Sequence, residues 1–123
     1  MRITPDSKYN GMPCSYVSTG CAYEDMYRKP FPVDVSEHVK ADGWLTLNDM
    51  NAYIRAVLPV KKKTYYKRNE RMTLREFLLE NTDRYIVCVA GHFIYVDSAD
   101  YWSFFDNEDD PVICVWRLKS MGA

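Results

Sequence analysis

The stretch from Arg84 to Ser98, RYIVCVAGHFIYVDS, decides the fold. It contains two runs of β-branched and aromatic residues, RYIVCVAG and HFIYVDS, which are typical of β-strands and are separated by Gly91. Two similar runs follow, DYWSFFDN and PVICVWRLK, divided from their neighbours by a turn at 98–100 and by the acidic turn EDDP. The close spacing of the last three runs predicts an antiparallel meander.

A helix is predicted upstream of these strands, beginning after Pro13. Cys14, Val17 and Cys21 recur with the spacing of one helical face, although Gly20 lowers the helix propensity of this segment. The residues before Pro13 are polar and irregular in pattern. The first helix is therefore expected to start at Cys14.

Two further helices are predicted before the strands. Thr46 is in position to cap the segment LNDMNAYIRAVL, whose apolar stripe ends before Pro59. Thr73 and Glu76 have the spacing of a capping box and open a third, shorter helix. The segment from Arg28 to Gly43 contains two prolines and turn-forming residues, so it is predicted to be a connecting loop in which His38 faces solvent.

These patterns together predict an α+β fold, with N-terminal helices packed on a C-terminal twisted antiparallel β-sheet. The 123 residues, 47% of them hydrophobic, are enough for one core, so residues 1–123 are predicted to form a single domain. The formal charge of −1 excludes a global attraction to nucleic acid or to an anionic membrane. The longest apolar runs are too short to cross a bilayer, and the N-terminus lacks a signal-peptide pattern, which favours the cytoplasm.

The four cysteines do not form a metal-binding pattern. Cys14, Cys21, Cys88 and Cys114 include no CxxC pair, and the chain has only two histidines, so neither a structural metal nor another cofactor is expected. Cys88 and Cys114 lie within apolar strand-like runs, where free cysteine acts as a small buried hydrophobe.

Cys14 is the candidate nucleophile. It directly follows Pro13 at the predicted start of a helix, where unpaired backbone N–H groups favour a thiolate and can also stabilise an oxyanion. Cys21, which follows Gly20, is the alternative if the helix begins later. Helix N-terminal placement favours Cys14, because that position lowers the pKa of a thiol.

His92 is the candidate general base. It opens the run HFIYVD after Gly91 and alternates with Ile94 and Val96, so its ring is expected on the same side as those side chains. The following strand carries Asp106 and Asn107 at its end, where pairing can bring a carboxylate or an amide beside the imidazole. A cysteine, a histidine and an Asp or Asn in this order are the nucleophile, base and orienting group of acyl-transfer chemistry.

These motifs resemble the papain-like cysteine peptidase superfamily, in particular its compact members in bacteriophages and bacteria. The resemblance is carried by PCSYVSTGCAYEDMY, TLREFLLENTDRYIVCVAGHFIYVD and YWSFFDNEDDPVICVWRL, which cover more than half of the chain. It implies a papain-like fold with Cys14 as nucleophile, His92 as base and Asp106 as orienting group. Such enzymes usually carry a glutamine shortly before the cysteine as an oxyanion donor. This chain contains no glutamine, and Asn10 is the nearby amide that could replace it.

One stretch is strongly basic. KKKTYYKRNER, from Lys61 to Arg71, is expected to be a solvated hairpin or loop. It could alternatively bind nucleic acid, with tyrosines stacking on bases. The cations of this candidate binding site are Lys61, Lys62, Lys63, Lys67 and Arg68.

Three functions remain open. The leading hypothesis is a cysteine hydrolase that acts on a peptide or protein substrate. The second is a catalytically silent papain-like viral protein that binds a host protein in the host-cell cytoplasm, because fold does not fix function. The third and weakest is a nucleic-acid-binding protein, since the whole chain has no excess of positive charge.

Overall fold

A computed structural model describes residues 1–31 and 47–119 of the chain. Helices dominate the N-terminal part of these ranges and strands the C-terminal part, which confirms the predicted α+β class. Two short 3₁₀ turns lie at Ser7–Tyr9 and Arg68–Glu70. The helices are α1 (Cys14–Tyr27), α2 (Leu47–Val57) and α3 (Leu74–Glu80), and the strands are β1 (Arg2–Ile3), β2 (Val60–Tyr65), β3 (Arg84–Val89), β4 (His92–Asp97), β5 (Asp100–Trp102) and β6 (Val112–Leu118).

The strands form one six-stranded sheet in the order β1-β5-β4-β3-β6-β2. All neighbouring pairs are antiparallel except β1 and β5, so the sheet is mixed rather than purely antiparallel. The predicted meander of the last three strands is wrong in one respect, because β6 pairs with β3 and not with β5. β3 is buried along nearly its whole length and pairs on both sides, whereas β5 has only three residues and pairs with the two-residue β1 on its other side.

The sheet carries a hydrophobic cluster on each face. Alternation along β4 directs Phe93 and Tyr95 to the face covered by α1 and α2, and Ile94 and Val96 to the face covered by α3. β4 is the strand on which α1 packs most extensively. The start of α1 is thereby held against the start of β4.

A close contact with Tyr9 fixes α1 against the N-terminal segment. A Cβ atom added at Gly20 would lie 2.4 Å from the Tyr9 Oη atom, so only glycine fits here. The Tyr9 hydroxyl donates a 2.7 Å hydrogen bond to Glu24, which also accepts from Lys8 and from the backbone N–H of Phe31. The glycine that lowers the helix propensity of α1 is therefore the residue that lets Tyr9 pack.

The predicted helices are present, and the structure also bears on the predictions for their caps and for the segments between them. The capping box of Thr73 and Glu76 is formed at the start of α3, whereas the predicted cap Thr46, His38 and most of the loop 28–43 lie outside the described residues. Lys61–Arg71 is not a hairpin or loop throughout, because Val60–Tyr65 forms the strand β2, which pairs with β6. No helix in the described ranges is both long enough and apolar enough to cross a membrane.

Candidate functional site

Cys14 is the first residue of α1, as predicted, and its side chain is half-buried. Pro13 precedes it without a side-chain cap, and the first intrahelical bond runs from the Val17 N–H to the Pro13 carbonyl. Burial raises the pKa of the Cys14 thiol, although the backbone N–H groups of Phe93, Ser15 and Cys14 itself oppose this rise. The thiol is therefore protonated at neutral pH.

His92 is the first residue of β4 and follows Gly91, whose φ of 69° suits a tight turn best made by glycine. Burial lowers the pKa of the imidazole from its usual value, and the Asp110 carboxylate only partly offsets this effect. The ring packs edge-on against Phe105, with 6.1 Å between the ring centroids. His92 is therefore neutral at neutral pH, the state in which an imidazole can accept a proton.

A chain of hydrogen bonds holds the Nε2 atom of His92. This nitrogen lies 3.4 Å from Ser103 Oγ, which donates a 2.7 Å bond to Asn107 Oδ1, and the Asn107 amide donates a 2.8 Å bond to Asp110. Because Ser103 donates its hydroxyl proton to Asn107, its oxygen can only accept a hydrogen bond from the ring. This arrangement assigns the proton of neutral His92 to Nε2 and leaves Nδ1 unprotonated.

Cys14 and His92 line one small cavity of about 60 Å³, together with Ser103. No hydrogen bond joins the thiol to the imidazole in the described part of the chain. The imidazole instead contacts Ser103 through its Nε2 atom. The rest of the cavity wall is apolar and consists of Met12, Val17, Phe93, Trp102, Phe104 and Phe105.

Asp106, the predicted orienting group, is not the partner of His92. Its carboxylate accepts from the Tyr101 hydroxyl and from the Glu108 N–H. The reason is that β5 ends at Trp102, so the chain turns before it reaches Asp106 and brings Ser103 to the imidazole instead. The alternative orienting residue, Asn107, belongs to the site but acts one step further away, through Ser103.

The other predicted site residues lie apart from this cavity. Asn10 ends the short 3₁₀ turn and is exposed, outside the cavity wall. Cys21 is buried within α1, and burial raises its pKa to about 12, so the structure gives it no feature of a nucleophile. Cys88 and Cys114 are buried, as predicted.

Ser103 and Asp110 were not predicted from the sequence. Ser103 is the single small polar residue within the aromatic run YWSFF, and this contrast is the signal that could have indicated it. Asp110 carried no comparable signal, because it is one of several carboxylates in an acidic turn.

In the described ranges, no group of three His, Cys, Asp or Glu side chains is placed to bind a metal ion.

Comparison of the chain with protein-family models, with curated proteins and with solved structures finds no match.

Proposed function

We propose that this protein is a papain-like cysteine hydrolase in which Cys14 is the nucleophile and His92 the general base. The observation that carries the proposal is the shared cavity, which brings together two side chains 78 positions apart at the start of α1 and the start of β4. The substrate class is a peptide or protein amide. We place the activity in the cytoplasm, where a free thiol stays reduced.

The proposed reaction begins from a neutral thiol and a neutral imidazole. The Nδ1 atom of His92 takes the thiol proton, directly or through one water molecule, as the sulfur attacks the substrate carbonyl, while Nε2 keeps its bond to Ser103. The unpaired N–H groups at the start of α1 stabilise the oxyanion, and in this way they take the role of the missing glutamine. The protonated His92 then protonates the leaving amine, and water activated by His92 hydrolyses the thioester.

The chain behind His92 supports the role of a base. Asp110, Asn107 and Ser103 fix the ring proton on Nε2, so Nδ1 has the free lone pair that a base needs. Because burial lowers the pKa of His92, the base is available throughout the neutral pH range. Activity should therefore be constant near pH 7 and fall on acidification as His92 becomes protonated.

Acylation by a small activated ester tests the proposal. p-Nitrophenyl acetate should acetylate Cys14 at neutral pH, detected as an acetyl group by peptide mass spectrometry, and turnover should regenerate the thiol. Cys14→Ser should abolish the acetyl-thioester and Cys21→Ser should leave it unchanged. Failure to acetylate Cys14, or an acetyl-thioester that is never hydrolysed, would count against a hydrolase.

A second candidate is a catalytically silent papain-like protein that binds a host protein. Three features favour it: the pKa of Cys14 is raised, the described residues contain no Cys14–His92 hydrogen bond, and Phe105 beside the cavity is 65% exposed. An exposed aromatic ring at the mouth of an apolar cavity is suited to protein contact.

Selection of peptide ligands from a displayed library separates the two candidates. A binding protein should yield ligands whose affinity falls in Phe105→Ser and is retained in Cys14→Ala. Leu79→Ser is the matched control, since Leu79 is also exposed but lies on α3. If Phe105→Ser and Leu79→Ser change binding equally, the cavity is not the binding site.

A further inference from the structure

The edge strand β2 and the segment after it form a second surface, which we call the basic strip. Residues 60–71 contain six cations and one carboxylate, Glu70, although the whole chain has a formal charge of −1. In the described ranges, none of these cations lies within ion-pair distance of a carboxylate. The cations of the strip are Lys61, Lys62, Lys63, Lys67, Arg68 and Arg71.

The basic strip runs along one margin of the sheet. Among the described strands, β2 is the last in the sheet and pairs only with β6. Lys61, Lys62, Lys67 and Arg68 are exposed, whereas Lys63 lies over the Trp116 ring. A six-residue strand is about 20 Å long, enough to follow several consecutive phosphates.

Tyr65 provides an aromatic surface within the strip. Its side chain is 56% exposed, and Arg71 donates a 3.1 Å hydrogen bond to its hydroxyl. The guanidinium carbon of Arg71 lies 5.7 Å from the ring centroid. A tyrosine held beside an arginine offers an unpaired base a stacking surface with phosphate-binding charge around it.

We propose that the basic strip binds single-stranded nucleic acid. The unpaired cations match a polyanion, and the exposed Tyr65 matches the unstacked bases that single strands present. A peptide strand added to the edge fits less well, because lysines on an edge strand discourage such pairing. The strip lies three strands from β4, so this proposal does not depend on the proposed hydrolase.

Fluorescence anisotropy with a labelled 20-nucleotide oligo(dT) tests the proposal on the full chain. If about four phosphates are contacted, the affinity should fall roughly 50-fold between 50 and 200 mM salt, since each single-strand contact contributes about 0.7 to the logarithmic slope. The double variant Lys62→Gln/Lys67→Gln should weaken binding and reduce the slope by about 1.4. Lys29→Gln/Arg75→Gln removes the same charge from other exposed positions and should bind like wild type.

Tyr65→Leu tests the stacking contribution separately. It should weaken oligo(dT) binding roughly 5- to 150-fold, in keeping with about 1–3 kcal/mol per stacked base. Binding of a base-free polyphosphate should not change in this variant. The proposal is overturned if oligo(dT) does not bind at 50 mM salt, if the two double variants bind equally, or if poly-glutamate binds as tightly as oligo(dT), which would indicate an acidic protein partner.

Discussion

Replacing Ser103 by alanine removes the hydroxyl on which the site depends. Ser103 is 2% exposed, and its Oγ atom donates to Asn107, accepts a 3.1 Å bond from the Phe105 N–H and lies 3.4 Å from His92 Nε2. Alanine leaves three polar groups without this partner. Phe105 is exposed, whereas Asn107 and His92 are both half-buried, so the loss falls mainly on the Asn107 amide and the imidazole.

We expect Ser103→Ala to lower the free energy of unfolding by about 2 kcal/mol, from a cost of about 1–3 kcal/mol for a buried group left unpaired. Ser18→Ala is the matched control, because Ser18 is 1% exposed and, among the residues that the structure describes, its hydroxyl bonds only to the Ser15 carbonyl in its own helix. Alanine also has the higher helix propensity, so Ser18→Ala should cost less than about 1 kcal/mol.

Urea unfolding followed by tryptophan fluorescence measures both free energies. Alkylation of Cys14 should also slow in Ser103→Ala, since the tautomer of His92 is no longer fixed, and should be unchanged in Ser18→Ala. Equal stability losses in the two variants would refute the importance of the hydrogen-bond chain, as would an unchanged alkylation rate in Ser103→Ala.

Three further outcomes are expected. Gly20→Ala should destabilise the protein by up to about 2 kcal/mol in thermal unfolding, because overpacking against Tyr9 costs about 1–3 kcal/mol and the helix-propensity gain offsets only about 1 kcal/mol of this cost. Stabilisation would contradict this. Thr73→Ala should cost about 1 kcal/mol by urea unfolding through loss of the capping box with Glu76, and a neutral effect would show that the box contributes nothing. Burial lowers the pKa of His92, so protonation of the imidazole disfavours the folded state. The urea midpoint should therefore fall between pH 7 and pH 5, and it should fall by less in His92→Gln. The same pH dependence in both proteins would show that His92 does not cause the loss of stability.

Hydrophobic periodicity and capping residues were sufficient to predict most of the helices and strands. The start of α1 at Cys14, the capping box of α3 and the runs of β3 and β4 are local features, and all appear in the structure. Strand order is not local. Nothing within the run PVICVWRLK states whether it pairs with β5 or with β3, because both neighbours would satisfy its backbone.

The site was predicted only in part, because only some of its residues carry a local signal in the sequence. Cys14 and His92 each carry a local signal, namely a helix start and a strand start after glycine, and the structure brings them to one cavity. The orienting group could not be located from the sequence, because it depends on where β5 ends. Because β5 ends at Trp102, Ser103 and not Asp106 lies beside the imidazole.

The pairing of Cys14 with His92 is tested most directly by the rate of Cys14 alkylation with iodoacetamide at pH 7, followed by peptide mass spectrometry. The other three thiols are buried and have raised pKa values, so they serve as internal references. Cys14 should react at least about tenfold faster than each of them, and His92→Gln should slow it without changing the others. Equal, slow labelling of all four cysteines, or a Cys14 rate that does not change in His92→Gln, would contradict a working Cys14–His92 pair.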